Sequence, residues 1–104
     1  MAKQFGNDNQ GEQAQTIALQ GLTFLLSEPN RIARFLSETG FTPDHIREHT
    51  GSTDLLEAAL AVLLNDEAAL LTFAANAGLS PDDVIRAHGV LAARDDGRQA
   101  LTTI

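Results

Sequence analysis

Two stretches decide the fold: FLSETGFTPDHI at residues 35–46 and FAANAGLSPDDV at residues 73–84. Both follow one pattern, F-x4-G-[FL]-[ST]-P-D-x-[IV], and each position in it has a mechanical task. Gly40 and Gly78 fall where a helix must end, and glycine supplies the left-handed backbone that closes one. Phe41 and Leu79 follow as apolar residues that fold back on the last turn, Phe41 against Leu36 or Phe35. Thr42 and Ser80 are N-caps of the next helix. Pro43 and Pro81 suit its first position, where no N–H is needed, and Asp44 and Asp82 favour its positive start. The pattern is therefore helix, tight turn, helix, written twice.

Working outward, a shift of 38 residues lays Thr16–Gly51 over Asp54–Gly89 without a gap. The pairs Leu22/Leu60, Leu25/Leu63, Leu26/Leu64, Phe35/Phe73, Gly40/Gly78, Pro43/Pro81, Asp44/Asp82 and Gly51/Gly89 are identical. Ser27 and Asn65 also correspond, and are read as caps of the helices beginning Glu28-Pro29 and Asp66-Glu67. Each copy then makes three helices, at about 16–27, 28–39 and 43–50, and at 52–64, 66–77 and 81–94. A pseudo-twofold pairing of the two units is expected. Such internal periodicity points to one supersecondary unit used twice.

Beyond the repeat, residues 16–27 carry Ile17, Leu19, Leu22, Phe24, Leu25 and Leu26, an apolar surface too wide for a helix with one dry face. Residues 52–64 (STDLLEAALAVLL) are more apolar still, as a central buried helix requires. No stretch shows the strict period-two alternation of a half-buried strand. The expected fold is all-α, a compact bundle of about six short helices. Residues 1–12 read as a disordered polar tail, 13–94 as a single helical domain with units at 16–51 and 54–89, and 95–104 as a C-terminal tail.

Composition narrows the role. The 104 residues hold 7 Lys and Arg against 14 Asp and Glu, a formal charge of −7, with 43% apolar residues. That acidity argues against a phosphate-backbone binder, which needs clustered cations. No cysteine occurs, so disulfides, thiolate metal sites and Cys nucleophiles are excluded. No signal-peptide core is seen, and the run Leu55–Leu64, interrupted by Glu57, is too short to cross a bilayer. A cytoplasmic location is expected.

The strings LTFLLSEPNRIARFLSETGFTPDHIR and LLEAALAVLLNDEAALLTFAANAGLSPDDVIRAHGVL also resemble a small alphaproteobacterial family, domain of unknown function 3572. The resemblance covers about Ala18 to Leu91, and EPNRIARFL with TGF and LLNDEAALLTF are its most specific pieces. It implies an all-α fold and a bacterial cytosol. It implies no activity, substrate or cofactor.

Several motifs invite chemistry. His45-Ile46-Arg47-Glu48-His49 is formally H-x-x-E-H, in which two histidines at i and i+4 share a helix face and bind Zn²⁺ while the glutamate serves as base. The third ligand would have to come from scattered carboxylates such as Asp54, Asp82 or Asp83, and the only other histidine, His88, has Thr50 as its partner position in the repeat. The plainer reading is an exposed last turn with His49 favoured by the helix dipole. Ala74-x3-Gly78-x5-Val84, and nearly Leu36-x3-Gly40-x5-Ile46, fit a helix-turn-helix. There the groove-facing turn would be Pro81-Asp82-Asp83 or Pro43-Asp44, which repels phosphate, and Arg47 and Arg86 do not offset it. Asp66-Glu67 and Asp82-Asp83 sit in helix first turns, where negative charge is stabilising. Arg31 and Arg34 are placed for i,i+3 and i,i+4 pairs with Glu28 and Glu38. Ser27, Ser37, Ser52 and Ser80 form no nucleophile elbow.

No polar constellation for catalysis stands out. The sequence is therefore read as a non-catalytic protein-protein interaction module, with no catalytic residue, cofactor or metal, His45 and His49 being the weak metal candidates. An unidentified protein, or a second copy, is the expected partner, with no nucleic acid and no membrane. The alternatives are a metal-binding protein or metallohydrolase using residues 45–49, and a degenerate helix-turn-helix DNA binder.

Overall fold

The most apolar stretch of the chain becomes its central helix. Ser52 takes an extended backbone and its hydroxyl accepts the Leu55 N–H at 3.2 Å, which starts that helix at Thr53. The computed structural model describes the backbone of residues 2–103 and the side chains of residues 10–93. Its elements are α1 (Ala2–Leu25), α2 (Pro29–Thr39), α3 (Pro43–Glu48), α4 (Thr53–Leu64), α5 (Glu67–Ala77) and α6 (Pro81–Thr103). The described residues contain no strand, and the protein is an all-α bundle.

Leu55, Leu56, Ala59, Leu60, Val62 and Leu63 of α4 are all buried. Helices α1 and α6 pack on α4 and on each other, and α2 and α5 cover the rest. Helix α1 can approach closely because Gly11, Ala14, Ala18 and Gly21 line its buried face, followed by Leu22 and Leu25. A Cβ on Gly21 would lie 2.9 Å from Leu63 Cδ1 and 3.4 Å from Leu60 Cδ2. Helix α6 answers with Val84, Ala87 and Leu91. Among the described residues no single helix is long and apolar enough to cross a membrane; α4 and α5 together reach that length, but a 112° bend separates them.

The helix bounds and turns can be compared at the 38-residue offset. Helices α2 and α5 share both bounds, and α3 and α6 share their start, at the 38-residue offset. Gly40 and Gly78 are both left-handed, with φ of 78° and 72°. They close their helices differently. At Gly78 the Leu79 N–H reaches the Ala74 carbonyl at 2.8 Å and the Gly78 N–H reaches Ala75 at 3.4 Å, a double closure. At Gly40 one bond remains, from its N–H to the Leu36 carbonyl at 2.8 Å. The Phe41 N–H is drawn off by the Thr39 hydroxyl at 3.2 Å, a group that Ala77 lacks at the matching position. Phe41 still folds back, its ring edge-on to Phe35 at 6.1 Å.

Two expectations are corrected. The caps of α2 and α5 are Glu28 and Asp66, one residue later than Ser27 and Asn65. Pro29 at the first helical position forces the residue before it into extended backbone, and that residue is Glu28. Ser27 instead donates to the Phe24 carbonyl at 2.7 Å, and Asn65 closes α4. Second, the two units differ in packing: α3 buries only Ile46, whereas α6 runs along the core. Helix α1 begins at Ala2 and α6 ends at Thr103. Gly11 is buried within α1. The side chains of residues 1–9 and 94–104, and with them the packing of the C-terminal stretch, lie outside the described residues.

At the start of α6, Asp83 Oδ2 accepts the Ser80 N–H at 2.9 Å while Ser80 Oγ accepts the Asp83 N–H at 3.2 Å. This is a capping box with aspartate in the third position. The Ser80 N–H foremost holds the Asp83 carboxyl below the usual aspartate range against the opposing desolvation, with smaller help from the Ser80 hydroxyl and the Arg86 charge. A carboxyl lowered by folding stabilises the fold above its unfolded pKa, and that contribution fades as pH falls through the folded value. Asp83→Asn should therefore melt below the parent at neutral pH, with the gap closing under acid. A gap of constant size across that range would sink the assignment.

The helix contacts give a second pair of outcomes. Gly21→Val forces branched carbon into Leu63 and should destabilise by about 1–3 kcal/mol in urea titrations. At Gly89, in α6, a Cβ meets nothing within 4 Å. Gly89→Ala should stabilise by about 0.5–1 kcal/mol through helix propensity alone.

Candidate functional site

Helix α1 carries more apolar surface than its core face uses. Leu22 and Leu25 turn inward, but Leu19 remains 41% exposed on the flank that faces α5. Next to it the Phe24 ring leans on Phe73 of α5, with centroids 5.6 Å apart and planes at 52°. The Arg31 guanidinium lies 4.1 Å from the Phe24 centroid, a cation–π contact from α2. Between α1 and α5 this leaves an open groove of about 570 Å³, bounded by Thr16, Leu19, Gln20, Thr23, Phe24 and Ser27 on one side and Phe73, Asn76 and Ala77 on the other.

Two features make the groove drier than its residue names suggest. The Thr23 hydroxyl donates to the Leu19 carbonyl at 2.9 Å, and Ser27 donates to Phe24 at 2.7 Å. Two of the three rim hydroxyls, Thr23 and Ser27, are thus bonded to their own helix. The groove also continues: Thr16, Gln20 and Ala77 border a second hollow that runs on past Ile17 and Leu79 to Glu12 and Asp83. From Glu12 to Ser27 the helix axis advances about 22 Å at 1.5 Å per residue.

The H-x-x-E-H string sits elsewhere, on α3. Ile46 of that string is buried core. The His45 ring is stacked on Phe41 (4.6 Å, 19°), and His49 is stacked on His45 (4.2 Å, 23°). Face-to-face imidazoles send their ring-plane lone pairs along parallel lines rather than to one point, so the two rings do not converge on a metal. His49 Nδ1 is also 3.0 Å from the His45 carbonyl oxygen. Arg47 pairs with Asp44, and Glu48 faces solvent. Asp54, Asp82 and Asp83 belong to the first turns of α4 and α6, and among the described residues no three His, Asp or Glu are grouped to hold an ion.

The remaining candidates resolve into structural tasks. Ala74 and Val84 are buried beside the Gly78 turn, while the first turn of α6 presents Asp82 and Asp83. His88 Nε2 lies 3.3 Å from Glu57 Oε2 across α6 and α4, close enough for an ion pair when the imidazole is charged, but not aligned as a hydrogen bond. Arg31 pairs with Glu28 at 3.3 Å and Arg34 with Glu38 at 3.0 Å, as their spacing implies. Arg34 also reaches Asp66 at 2.7 Å, tying α2 to the cap of α5. Asp66 thereby serves twice, because its carboxylate accepts the Ala69 N–H at 3.2 Å as well. Ser52 and Ser80 are caps, and Ser37 is exposed on α2.

The groove residues Leu19 and Phe24 are what motif reasoning missed: their signal in the sequence was the excess apolar width of residues 16–27, which has no motif attached to it, whereas Phe73 stood in the repeat pattern with no site role.

A family model described as "Protein of unknown function (DUF3572)" matches residues 11–94, a wider span than the stretch carrying the resemblance. No curated protein and no solved structure matches the chain.

The double duty of Asp66 is open to a double-mutant cycle. Asp66→Ala should cost about 1 kcal/mol, mostly as a lost cap. Arg34, with its side chain 58% exposed, should couple to it by about 0.2–1 kcal/mol. Strictly additive single and double variants would show that the inter-helix pair contributes nothing.

Proposed function

Since the chain belongs to the DUF3572 family, whose description assigns no activity, its role is to be sought on its own surface, and we propose that it is a non-catalytic protein-protein interaction module with the α1/α5 groove as its docking face. One observation supports this reading: Leu19 and Phe24 line an open groove over the buried Phe73 ring, and the Thr23 and Ser27 hydroxyls on its rim donate to their own helix. Grooves of that kind receive the apolar face of an amphipathic helix. An enzyme site would instead bring titratable groups together in a recess. In this channel the polar residues are amides and hydroxyls spread along the rim. The bacterial cytosol is the proposed location, in keeping with a chain free of cysteine. Neither nucleic acid nor membrane is proposed as a partner, given the net charge of −7.

A photo-activated cross-linking residue placed at Gln20, on the groove rim, and separately at Ser37, exposed on α2, tests this in cells. The Gln20 position should capture a protein that Ser37 does not, and Leu19→Arg should abolish the capture. Identical products from both positions, or none from Gln20, would rule out the groove.

A further inference from the structure

Resting on that reading of the groove, we infer that its occupant is a basic amphipathic helix from a partner protein, of about four turns, with leucine-type anchors along one face and lysines or arginines beside them. The length follows from the channel, which runs about 22 Å from Glu12 to Ser27. The anchors follow from Leu19 and the half-buried Phe24, which offer apolar surface above the buried Phe73 ring.

The charge follows from where this protein's cations already are. Arg31 is held by Glu28, Arg34 by Glu38 and Asp66, and Arg47 by Asp44. Arg86 acts on Asp83. Three of the four arginines between residues 10 and 93 are thus paired with a carboxylate, and Glu12, Glu48, Asp54, Glu67 and Asp82 face solvent. Glu12 stands at one end of the channel itself. An incoming surface therefore meets net negative charge, and one with positive charge is steered in. A second copy of this chain carries the same −7 and is repelled, as is an anionic lipid surface.

Three synthetic peptides of equal length serve as probes: an amphipathic leucine/lysine helix, the same pattern in leucine/glutamine, and a leucine/lysine scramble with no continuous apolar face. Each is titrated against the full chain and followed by peptide fluorescence anisotropy. The leucine/lysine helix should bind saturably and weaken when salt is raised. Leu19→Arg, at a position already 41% exposed, should weaken it by about tenfold or more. Gln20→Arg on the exposed rim supplies a second groove variant should the first fold poorly. Glu12→Arg should weaken the lysine peptide and spare the glutamine one.

Each contrary result has its own meaning. Equal affinity for the glutamine peptide overturns the basic partner and leaves the groove reading standing. Equal affinity for the scramble, or binding untouched by both groove variants, is attraction to the acidic surface at large and overturns the inference together with the groove. No binding by any peptide overturns the inference. Self-association in sedimentation, abolished by Leu19→Arg, would put a second copy in the channel and overturn it also.

Discussion

At Gly21 the backbone of α1 comes so close to α4 that a single Cβ would press on Leu63 and Leu60. That approach organises the bundle. Helix α4 is apolar on nearly every side and has to be surrounded, but a chain of 104 residues has few helices to surround it with. Small residues at 11, 14, 18 and 21 let α1 lie tight against the core while α6 lies against both. Interiors pack as densely as organic crystals, so an added methyl there must displace a neighbour. The same register fixes where the rest of α1 points. With Leu22 and Leu25 committed inward, Leu19 and Phe24 fall on the flank that faces α5, and the groove between the two helices is a geometric consequence.

Local structure was legible to the extent that it depended on neighbours in sequence. The glycine, N-cap and proline of each turn act within about five residues, and the structure has both turns where the pattern puts them. The cap of α2 was misplaced by one residue because a serine's preference was weighed above the constraint Pro29 puts on Glu28. The difference between the closures at Gly40 and Gly78 was also present in the sequence, as Thr39 against Ala77. It becomes readable only once the hydroxyl is known to take the Phe41 N–H. The Arg34–Asp66 contact joins residues 32 apart, and spacing rules that work along one helix are silent at that range.

The candidate chemistry shows the opposite failure, a legible motif without the geometry. Two histidines at i and i+4 do meet on one face of α3, as helix periodicity requires. How they meet is decided by Phe41, which belongs to the preceding turn. Its ring stacks on His45, His45 stacks on His49, and the imidazoles form a ladder rather than a claw. A motif string specifies proximity. Coordination needs direction as well, and direction here is fixed by an aromatic residue that the string does not include.

Magnitudes constrain what the channel can do. A single exposed leucine is ordinary on any protein surface. The argument rests instead on contiguity, with two aromatic rings, a leucine and an alanine along one channel. A helix about 10 Å wide laid along about 22 Å would cover on the order of 220 Å² of this protein. Stable complexes bury about 800 Å² on each partner, so the channel alone supports an association in the weak, transient class. In that class, long-range charge matters most, because it raises the rate of encounter more than it lengthens the stay. An acidic shell with most of its described arginines already paired is suited to that kinetic role. In the proposed role, the apolar groove would set where a partner settles, and the carboxylates around it would set which partners arrive.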